Sequence, residues 1–346
     1  LPNLFFPFAD SLRIEPIQRP IEIECFDDRV STNPEQLAAV QAIVEQTSGS
    51  APFIVFGPPG TGKTVTLVEA IKQVWQLNPS THILVCAPSN TAADLLTVRL
   101  SHHVPREEMM RLIAYSRPVE NVPDSVRVYS NLGPGGYEFP NLETMVRYRI
   151  IITTLVTAGK LVSAQFPRDH FGHVFIDEAG QATEPETVIA LGGILSSEGR
   201  LVMAGDPYQL GPIVRSSLAN QHGLSRSLLE RLINSTPYVN PGTGDFDGRC
   251  IKKLVRNFRY VVSHNEYNKV FLLHILPAQV SPGAAGAARQ TLLQGGAAAL
   301  RPCCAGQWLP KVPRPHRHRQ GGHPHHRARG GGPGEQTLYI LVSKRF

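Results

Sequence analysis

A glycine-rich stretch constrains the fold of this chain more than any other feature. Residues 57–64 have the sequence GPPGTGKT, an apolar run at 53–56 precedes them, and a helical pattern starting near Val65 follows. A buried strand, a tight turn and a helix N-terminus in this order form a phosphate-binding loop, because glycines let backbone N–H groups approach phosphate oxygens closely. The alternative is a glycine-rich turn that matches by chance. The agreement of strand, loop and helix favours the phosphate site.

The positions of this loop have distinct predicted roles. Backbone N–H groups of the loop would surround the phosphates, Lys63 would reach the outer phosphates, and the hydroxyl of Thr64 would bind Mg²⁺. The sequence therefore predicts a site for a nucleoside triphosphate with its magnesium ion. The predicted nucleotide contacts are Gly57, Pro58, Pro59, Gly60, Thr61, Gly62, Lys63 and Thr64.

Short apolar runs recur along the chain. They lie at 53–56, 83–87, 149–153, 173–176 and 201–204, and helical patterns separate most of them. Runs of this length are typical of buried parallel strands. The alternation predicts an α/β fold with a central parallel sheet and helices on both faces. Ligands of such sheets bind at the carboxyl ends of the strands.

Polar motifs stand at the ends of these runs, where that rule requires them. In chain order they contain Ser89 and Asn90, then Thr153 and Thr154, then Asp177 and Glu178, and finally Gln209. Each motif alone is weak, because an acidic pair is often only a helix cap and Gly-Asp-Pro is often only a turn. Their succession behind a phosphate loop favours a single active edge of the sheet.

The acidic pair has the residue types that phosphoryl transfer to water needs, namely charge neutralisation and a positioned nucleophile. Asp177 comes first after its apolar run and is placed to hold Mg²⁺, mostly through water. Glu178 would orient the attacking water or accept its proton. Gln209 has a neutral side chain that can hydrogen-bond both the outer phosphate and that water, which suits it to sensing hydrolysis.

Residues 31–36, STNPEQ, predict a helix start, with a capping residue, proline at the first position and acid in the first turn. Leu37, Val40, Ile43 and Val44 form the stripe expected to be buried. Gln36 has two interpretations. Its carboxamide can pair with both N6 and N7 of adenine, or it is a solvent-exposed helix glutamine. Spacing alone favours the exposed glutamine.

The net charge of +6 is unevenly distributed. Residues 1–266 contain 23 lysines and arginines against 27 aspartates and glutamates, a net charge of −4, whereas residues 267–334 contain 9 basic residues and no acidic one. The basic character therefore belongs to the tail and does not identify a nucleic-acid surface on the folded part.

No apolar run approaches the roughly 18 residues of a membrane span, so no membrane partner is expected. Five cysteines without paired spacing suit a reducing compartment.

Two regions fit the alternation less well. Residues 1–30 lack a helical period. Within them, apolar and acidic residues alternate at 21–26, which predicts one edge strand. The chain starts abruptly there, so we expect it to continue a longer protein. Residues 101–148 are longer than a simple crossover, and we predict an inserted helical pair and a mobile loop outside the sheet. Arginines at 111, 117, 127, 147 and 149 would contact a phosphate backbone or, more commonly, form a solvated face.

Taken together, residues 31–259 resemble the Upf-one-like superfamily-one RNA helicases, and most closely the Moloney leukaemia virus ten (Armitage-type) helicases. The motifs are NPEQ at 33–36, GPPGTGKTVTLVEAIKQV at 57–74, APSN at 87–90, ITTLVTAGKLVSAQFP at 152–167, HVFIDEAG at 173–180, AGDPYQLGP at 204–212 and HGLSRSLLERL at 222–232. The resemblance covers about two-thirds of the chain and is far more specific than a phosphate loop alone.

This resemblance implies an ATP- and Mg²⁺-dependent enzyme that moves 5′ to 3′ on single-stranded RNA. It further implies a cytoplasmic location in ribonucleoprotein granules of the P-body type, with Argonaute-type silencing proteins and mRNA-decay proteins as partners. By the family pattern Gln36 contacts adenine, and Arg259 reaches the outer phosphate at the start of a second motor domain. Contacts with the RNA backbone would be made by Ser89, Asn90, Thr153 and Thr154, independently of sequence.

The resemblance also implies a division of the chain. It gives an N-terminal extension at 1–30, a first RecA-like motor domain at 31–258 with an insertion at about 101–148, and a broken start of the second motor domain at 259–280. The composition of the remaining residues predicts a disordered tail at 281–346. After Arg259 the family pattern fails, and the other motifs of the second domain are absent from the sequence. Because losing an arginine finger costs ~10³–10⁵ in rate, we expect very slow hydrolysis by this chain alone.

The tail itself has three interpretations. Its Gly, Ala, Pro and Arg content without acids indicates translation out of frame, since a one-base shift of codons for FYREELQPCA yields the run at 292–301. The basic residues would otherwise bind RNA nonspecifically, and the histidines at 316, 318, 323, 325 and 326 would bind a metal, although their spacing builds no defined site. The alternative function for the whole chain is a nucleotide-binding or RNA-binding fragment without unwinding activity.

Overall fold

The computed structural model describes residues 2–12 and 21–258, which belong to one unit of the chain, Leu1–Ala285. Within the described residues the main feature is a seven-stranded sheet in the order β3-β6-β2-β7-β8-β1-β9. Every pairing in it is parallel. Its strands are β1 (Phe53–Phe56), β2 (His82–Ala87), β3 (Met109–Arg111), β6 (Ile150–Thr154), β7 (Phe171–Ile176), β8 (Leu195–Gly205) and β9 (Ile251–Lys253); β4 (Leu132–Gly133) and β5 (Gly136–Tyr137) form a separate hairpin.

Helices connect and cover these strands. They are α1 (Pro2–Phe5), α2 (Asp28–Ser31), α3 (Pro34–Val44), α4 (Lys63–Leu77), α5 (Asn90–Leu100), α6 (Asp124–Arg127), α7 (Leu142–Met145), α8 (Leu155–Ser163), α9 (Glu184–Leu191), α10 (Ser217–Gln221) and α11 (Leu228–Ile233). Short 3₁₀ turns lie at Ala9–Ser11, Arg106–Glu108, Val119–Asn121 and Ala179–Gln181. Among the described residues, no helix is long and apolar enough to cross a membrane.

The sheet separates two hydrophobic layers. Alternate residues of β1 point to opposite faces: Ile54 and Phe56 join the layer that contains α8, α9 and α11, whereas Phe53 and Val55 join the layer of α3, α4 and α5. All four side chains are almost completely buried. A strand buried on both faces needs apolar residues at successive positions, which is why these strands are visible in the sequence as short apolar runs.

The predicted parallel sheet with helices on both faces is confirmed, and all five predicted strands are present. Two further strands of the sheet were not predicted, because β3 and β9 have three residues each and include charged side chains. The prediction that residues 101–148 lie outside the sheet was wrong, since β3 pairs with β6 at the sheet edge. Two helices are present there, α6 and α7, but each has only four residues, and beside β3 the segment contains two 3₁₀ turns and the β4–β5 hairpin.

The predicted edge strand at 21–26 was also wrong. The backbone of this segment is bound by side chains of two helices instead of by a strand. Ile21 N donates to Glu45 Oε1 (3.1 Å), Phe26 N donates to Glu69 Oε1 (2.9 Å), and Gln73 Nε2 donates to Glu24 O (2.7 Å). The segment therefore packs on α3 and α4, the helices that flank the phosphate loop.

The predicted start of α3 is confirmed. Asn33 is the N-cap, its side chain accepts from the backbone of Glu35 and Gln36, and Pro34 occupies the first helical turn. Val40, Ile43 and Val44 are buried as the stripe predicts, and Leu37 is half-buried. This cap fixes where α3 begins and therefore places Gln36 one turn into the helix, against the loop after β1.

Candidate functional site

The phosphate loop occupies the predicted turn between β1 and α4. Gly60 and Gly62 have φ angles of 84° and 86°, in the left-handed region that side chains disfavour. Gly62 is the N-cap of α4 and offers no side-chain cap to the helix. The first N–H groups of α4 are therefore available to an anion, and the helix dipole adds positive potential at the same point.

Lys63 is the first residue of α4 and its side chain folds back over the loop. Its Nζ donates to the carbonyl oxygens of Gly57 (2.8 Å) and Pro58 (3.2 Å), and only 9% of the residue is exposed. The amine is thus held beside the loop as a compact charge on a flexible stem. This is the position from which it can reach an anion bound in the loop.

A cavity of about 250 Å³ opens beside this loop. Its walls bring together the phosphate loop, Glu178 of the acidic pair and the loop that follows β8, as the parallel sheet predicts. Its lining consists of Pro59, Gly60, Gly62, Lys63, Thr64, Val65, Arg99, Glu178, Gln209 and Phe258. Of these, Arg99 and Phe258 were not predicted from any motif.

Asp177 lies directly after β7, is 3% exposed, and is hydrogen-bonded by the side chain of Thr64. Burial, followed by the neighbouring charge of Glu178, raises the pKa of Asp177 to about 6; the bond from Thr64 opposes the shift. A buried carboxylate beside a hydroxyl supplies the oxygen ligands that a hydrated Mg²⁺ prefers. These two side chains fit such an ion, whose positive charge would further favour the ionised form of Asp177.

Glu178 has a strained backbone. Its φ angle is 52°, in the left-handed region, and its N–H donates to Oδ1 of Asp177 (3.0 Å). A non-glycine residue held there costs about 1–3 kcal/mol, and such strain is concentrated at functional sites. The side chain lines the cavity, where Oε2 accepts from Nε2 of Gln181 (3.2 Å). The carboxylate is thereby presented toward the phosphate loop.

Gln209 is exposed on the loop that follows β8, the strand that lies between β7 and β1. Its Nε2 donates to Oδ2 of Asp206 (2.7 Å), whose Oδ1 accepts from the N–H of Tyr208 (3.0 Å). Asp206 thus fixes both the turn and the glutamine. Because β8 separates the strand of the phosphate loop from that of the acidic pair, Gln209 faces the cavity between them.

Gln36 is 1% exposed, which excludes the solvent-exposed interpretation. Its Nε2 lies within hydrogen-bonding distance of the carbonyls of Thr61 (3.2 Å) and Gly62 (3.4 Å). Its Oε1 is buried and has no hydrogen-bond partner among the described residues. An unsatisfied buried acceptor is costly, so this oxygen is suited to receive a donor from a ligand.

The segment 254–258 lies across the phosphate loop and was not predicted to do so. Phe258 N donates to Gly60 O (2.8 Å), Asn257 Nδ2 donates to Pro59 O (3.2 Å), and Val255 N donates to Glu35 Oε2. No apolar run or motif marks this segment, because its contacts are backbone bonds to a distant loop. Arg259, predicted to contact the outer phosphate, lies outside the described residues.

The four predicted RNA contacts differ in exposure. Ser89, the N-cap of α5, is exposed, while Asn90 and Thr154 are half-buried, and Thr154 caps α8. Thr153 is completely buried, and its hydroxyl donates to Leu112 O (2.9 Å). In this structure the side chain of Thr153 is therefore not presented at the surface, whereas the other three line the carboxyl edge of the sheet.

A buried arginine connects this edge to β3. Arg111 is completely buried and donates from Nε to Asp94 Oδ1 (3.1 Å), from Nη1 to Leu112 O (2.7 Å) and from Nη2 to Asn90 Oδ1 (2.9 Å). Arg117 forms a second pair with Asp94 (2.6 Å). Burial lowers the pKa of Arg111 to about 10. The expectation that Arg111 contacts a phosphate backbone or forms a solvated face was wrong, because it fixes Asn90 from below.

A parallel sheet whose carboxyl edge joins a phosphate loop, an acidic pair and a glutamine defines this chain as a RecA-like P-loop domain. The sequence family described as "AAA domain" matches residues 31–131 and 138–217, just over half of the chain, and the chain belongs to this family. The gap in the match falls on the β4–β5 hairpin.

Among curated proteins, the chain is similar to the helicase mov-10-B.1 of Danio rerio, with 48% identity over 78% of this chain and 26% of that protein. It is 49% identical to the helicase MOV-10 of Gallus gallus over 71% of this chain and 26% of that protein. The RNA helicase Mov10l1 of Mus musculus is 43% identical over 66% of this chain and 19% of its own length. The chain is thus a relative of the MOV-10 helicases that spans about a quarter of their length or less.

Two solved structures are also similar. The Hef helicase domain of Pyrococcus furiosus covers 69% of this chain and is itself covered to 43%, with 12% identity and a TM-score of 0.40. A Pif1 helicase at forked double-stranded DNA covers 66% of this chain and is covered to 45%, with 16% identity and a TM-score of 0.34. At such low TM-scores, these likenesses add nothing to the fold already described.

Proposed function

We propose that this chain binds ATP with Mg²⁺ and is the first motor domain of an ATP-dependent RNA helicase. The observation that supports this most is that one cavity is lined by Lys63, Thr64, Glu178 and Gln209, and that Thr64 is also hydrogen-bonded to Asp177. Phosphoryl transfer to water requires a cation, metal ligands, a carboxylate that orients the water and a neutral group that contacts the outer phosphate. Lys63, the pair of Thr64 and Asp177, Glu178 and Gln209 supply these groups in that order.

The individual roles follow from the positions. Lys63 and the first N–H groups of α4 bind the outer phosphates, and Thr64 and Asp177 hold the magnesium ion, which supplies charge neutralisation to the phosphates. Glu178, held at the cavity by its strained backbone, orients the attacking water and accepts its proton. Gln209 contacts the outer phosphate, and a change in that contact would be transmitted through Asp206 to the turn after β8.

Gln36 is proposed to contact adenine. Its Oε1 lacks a partner among the described residues and lies in a side chain held against the loop, and a carboxamide oxygen can accept from the N6 amine of adenine. Thr61 and Gly62 fix the amide nitrogen, so their carbonyls decide which end of the carboxamide faces the base. This geometry favours an adenine nucleotide over a guanine nucleotide.

Single-stranded RNA is the proposed polynucleotide, contacted by Ser89, Asn90 and Thr154 at the carboxyl edge. Hydroxyl and amide side chains at helix N-termini suit phosphate and sugar contacts and carry no sequence information. Thr153 is proposed to act from below, by holding Leu112 at the edge. Movement from 5′ to 3′, Argonaute-type and mRNA-decay partners, and a cytoplasmic location in P-body granules are proposed from the family resemblance.

A second candidate function is a nucleotide-binding module without turnover. It is favoured by the sequence after Arg259, which departs from the helicase pattern at Tyr260 and contains no later motif of a second motor domain. In that case the phosphate site would bind ATP and hydrolysis would depend on residues supplied by another molecule.

ATP hydrolysis by the purified chain, with and without single-stranded RNA, tests the proposal. We expect slow hydrolysis that is removed by Lys63→Ala and by Glu178→Gln but retained in the control Lys160→Ala, a lysine on α8 outside the cavity. RNA-stimulated turnover would show that this chain works as a motor by itself. Nucleotide binding with no turnover favours the second candidate, and equal hydrolysis in all variants contradicts the site.

A further inference from the structure

The cavity beside the phosphate loop has one cationic side chain that no sequence motif assigns. Arg99 lies in the last turn of α5 and lines the cavity together with Lys63, Thr64 and Glu178. It is half-buried, and its Nη1 is fully buried without a hydrogen-bond partner among the described residues. The guanidinium forms no ion pair in that part of the chain. The site therefore contains a cationic side chain whose Nη1 donors are unused by the described residues.

Several other arginines with buried or half-buried side chains in the described chain are ion-paired. Arg111 and Arg117 share Asp94, Arg149 contacts Glu108, and Arg231 contacts Glu184. This is the usual arrangement, because removing a charge from water is costly unless it is paired and hydrogen-bonded. Arg200 is also half-buried and forms no ion pair there, but its Nε donates to Gln46 Oε1 (3.1 Å) and its Nη1 donates to Glu198 O (2.6 Å). By contrast, the Nη1 of Arg99, in the wall of the cavity beside the phosphate loop, has no hydrogen-bond partner among the described residues. An anion bound there would supply the missing partner.

The surroundings of Arg99 contain charges of both signs. Burial lowers the pKa of Arg99, the buried Asp177 attracts its charge, and Arg29 repels it. The guanidinium also lines a neighbouring cavity of about 520 Å³ that shares Val65 with the first. Arg99 thus lines both cavities, beside Val65, the residue that follows Thr64 on α4.

We propose that Arg99 contacts the phosphate chain of the bound nucleotide, as a second cation beside Lys63. The proposal rests on the proposed function, because it requires a nucleotide in the phosphate loop. Lys63 offers a compact charge that already bonds loop carbonyls, whereas Arg99 offers a planar fork with free donors that fits phosphate oxygens. The two cations arrive from α4 and α5, so the phosphates are held between the two helices.

Competition binding with a fluorescent ATP analogue tests this inference. The competitors are ATP, inorganic tripolyphosphate and adenosine, measured on the unaltered chain, on Arg99→Gln and on Arg147→Gln. Arg147 serves as the matched control. It is an exposed arginine that pairs with Glu143 and does not line the cavity. We expect Arg99→Gln to weaken ATP and tripolyphosphate by at least about tenfold and adenosine by less than about twofold. Arg147→Gln should change none of the three.

Unchanged affinity for tripolyphosphate in Arg99→Gln overturns the inference, even if ATP binds more weakly, because the contact would then be with ribose or base. If thermal unfolding shows that Arg99→Gln is not folded, Arg99→Lys is used instead. It keeps the charge and loses the fork, so a loss of at least about threefold for tripolyphosphate is expected and equal affinity overturns the inference. Lys63→Ala separates the two proposals: if it also binds ATP normally, the proposed function itself fails.

Discussion

At the scale of single residues, the positions of the phosphate loop were predictable because each one has a stereochemical requirement. Gly62 has a left-handed backbone, and a Cβ added there would collide with Nε2 of Gln36. The first requirement is visible in the sequence as a glycine. The second is not, because it depends on a side chain that lies 26 residues away in the sequence.

Replacing Gly62 by alanine therefore tests both requirements. We expect Gly62→Ala to lower the free energy of unfolding by at least about 1–2 kcal/mol, the cost of a left-handed non-glycine residue, and to abolish ATP binding. The control is Gly135→Ala in the β4–β5 turn, where an added Cβ meets nothing within 4 Å. Thermal unfolding and nucleotide titration measure the two effects, and equal behaviour of the two variants would refute the explanation.

Other single residues have properties that no sequence pattern reveals. Gln36 was ambiguous because the sequence pattern around one glutamine of a helix does not distinguish a buried side chain from an exposed one. Arg99 was missed because what distinguishes it is a buried Nη1 without a hydrogen-bond partner in the described part of the chain. Both became interpretable only when burial and hydrogen bonding were known, since these depend on elements that are distant in the sequence.

His173, in the middle of β7, makes stability depend on pH. Burial and the charge of Arg200 lower its pKa to about 4, below the value of about 6.5 expected in the unfolded chain. Between these values the unfolded state binds the extra proton, so the free energy of unfolding falls as pH falls from about 6.5 toward 4. At pH 5 we expect this residue to remove about 2 kcal/mol.

The measurement is urea unfolding at pH 7.5 and pH 5 on the unaltered chain, on His173→Leu and on the control His222→Leu, an exposed histidine. Between pH 7.5 and pH 5, the decrease in the free energy of unfolding should be smaller in His173→Leu than in the unaltered chain by about 2 kcal/mol. In the control this decrease should equal that of the unaltered chain. A pH dependence that is the same in all three proteins would contradict the assignment.

At the scale of elements, the sequence predicted those that are buried on both faces. Residues 53–56 form β1 as predicted, because a doubly buried strand must be apolar throughout. The strand β3 was missed because its third residue is Arg111, whose charge is satisfied only by Asp94, Asn90 and a carbonyl from other elements. The segment 21–26 alternates like a strand, yet its backbone is bound by glutamate and glutamine side chains.

The pair of Asp94 on α5 with Arg111 on β3 joins the inserted segment to the motor sheet. Removing the carboxylate leaves a completely buried arginine without its partner, which typically costs about 3–5 kcal/mol. We expect Asp94→Ala to lose that free energy of unfolding. Asp124→Ala removes an exposed carboxylate that pairs with Arg127 at 3.4 Å and should cost less than about 1 kcal/mol. Denaturant unfolding compares them, and similar losses would contradict a structural role for the buried pair.

At the scale of the whole molecule, the described chain collects motifs that are spread from residue 36 to residue 258 at one edge of one sheet. This was predictable, because the carboxyl ends of parallel strands all lie at the same edge. The contribution of 254–258 was not, since a backbone segment laid over a loop leaves no pattern in the sequence. The net charge of −4 in residues 1–266 further indicates that polynucleotide binding by this part would depend on the few residues at that edge.

The cavity beside residues 57–64 is the proposed ATP site, and a direct measurement of nucleotide binding tests this proposal. The measurement is a calorimetric titration of the chain with a non-hydrolysable ATP analogue, with and without Mg²⁺, beside Lys63→Ala. We predict saturable binding at one site. The affinity for the analogue should fall by at least about tenfold in Lys63→Ala, and it should also fall without Mg²⁺. Equal affinity in both proteins, or no binding by the unaltered chain, would contradict it.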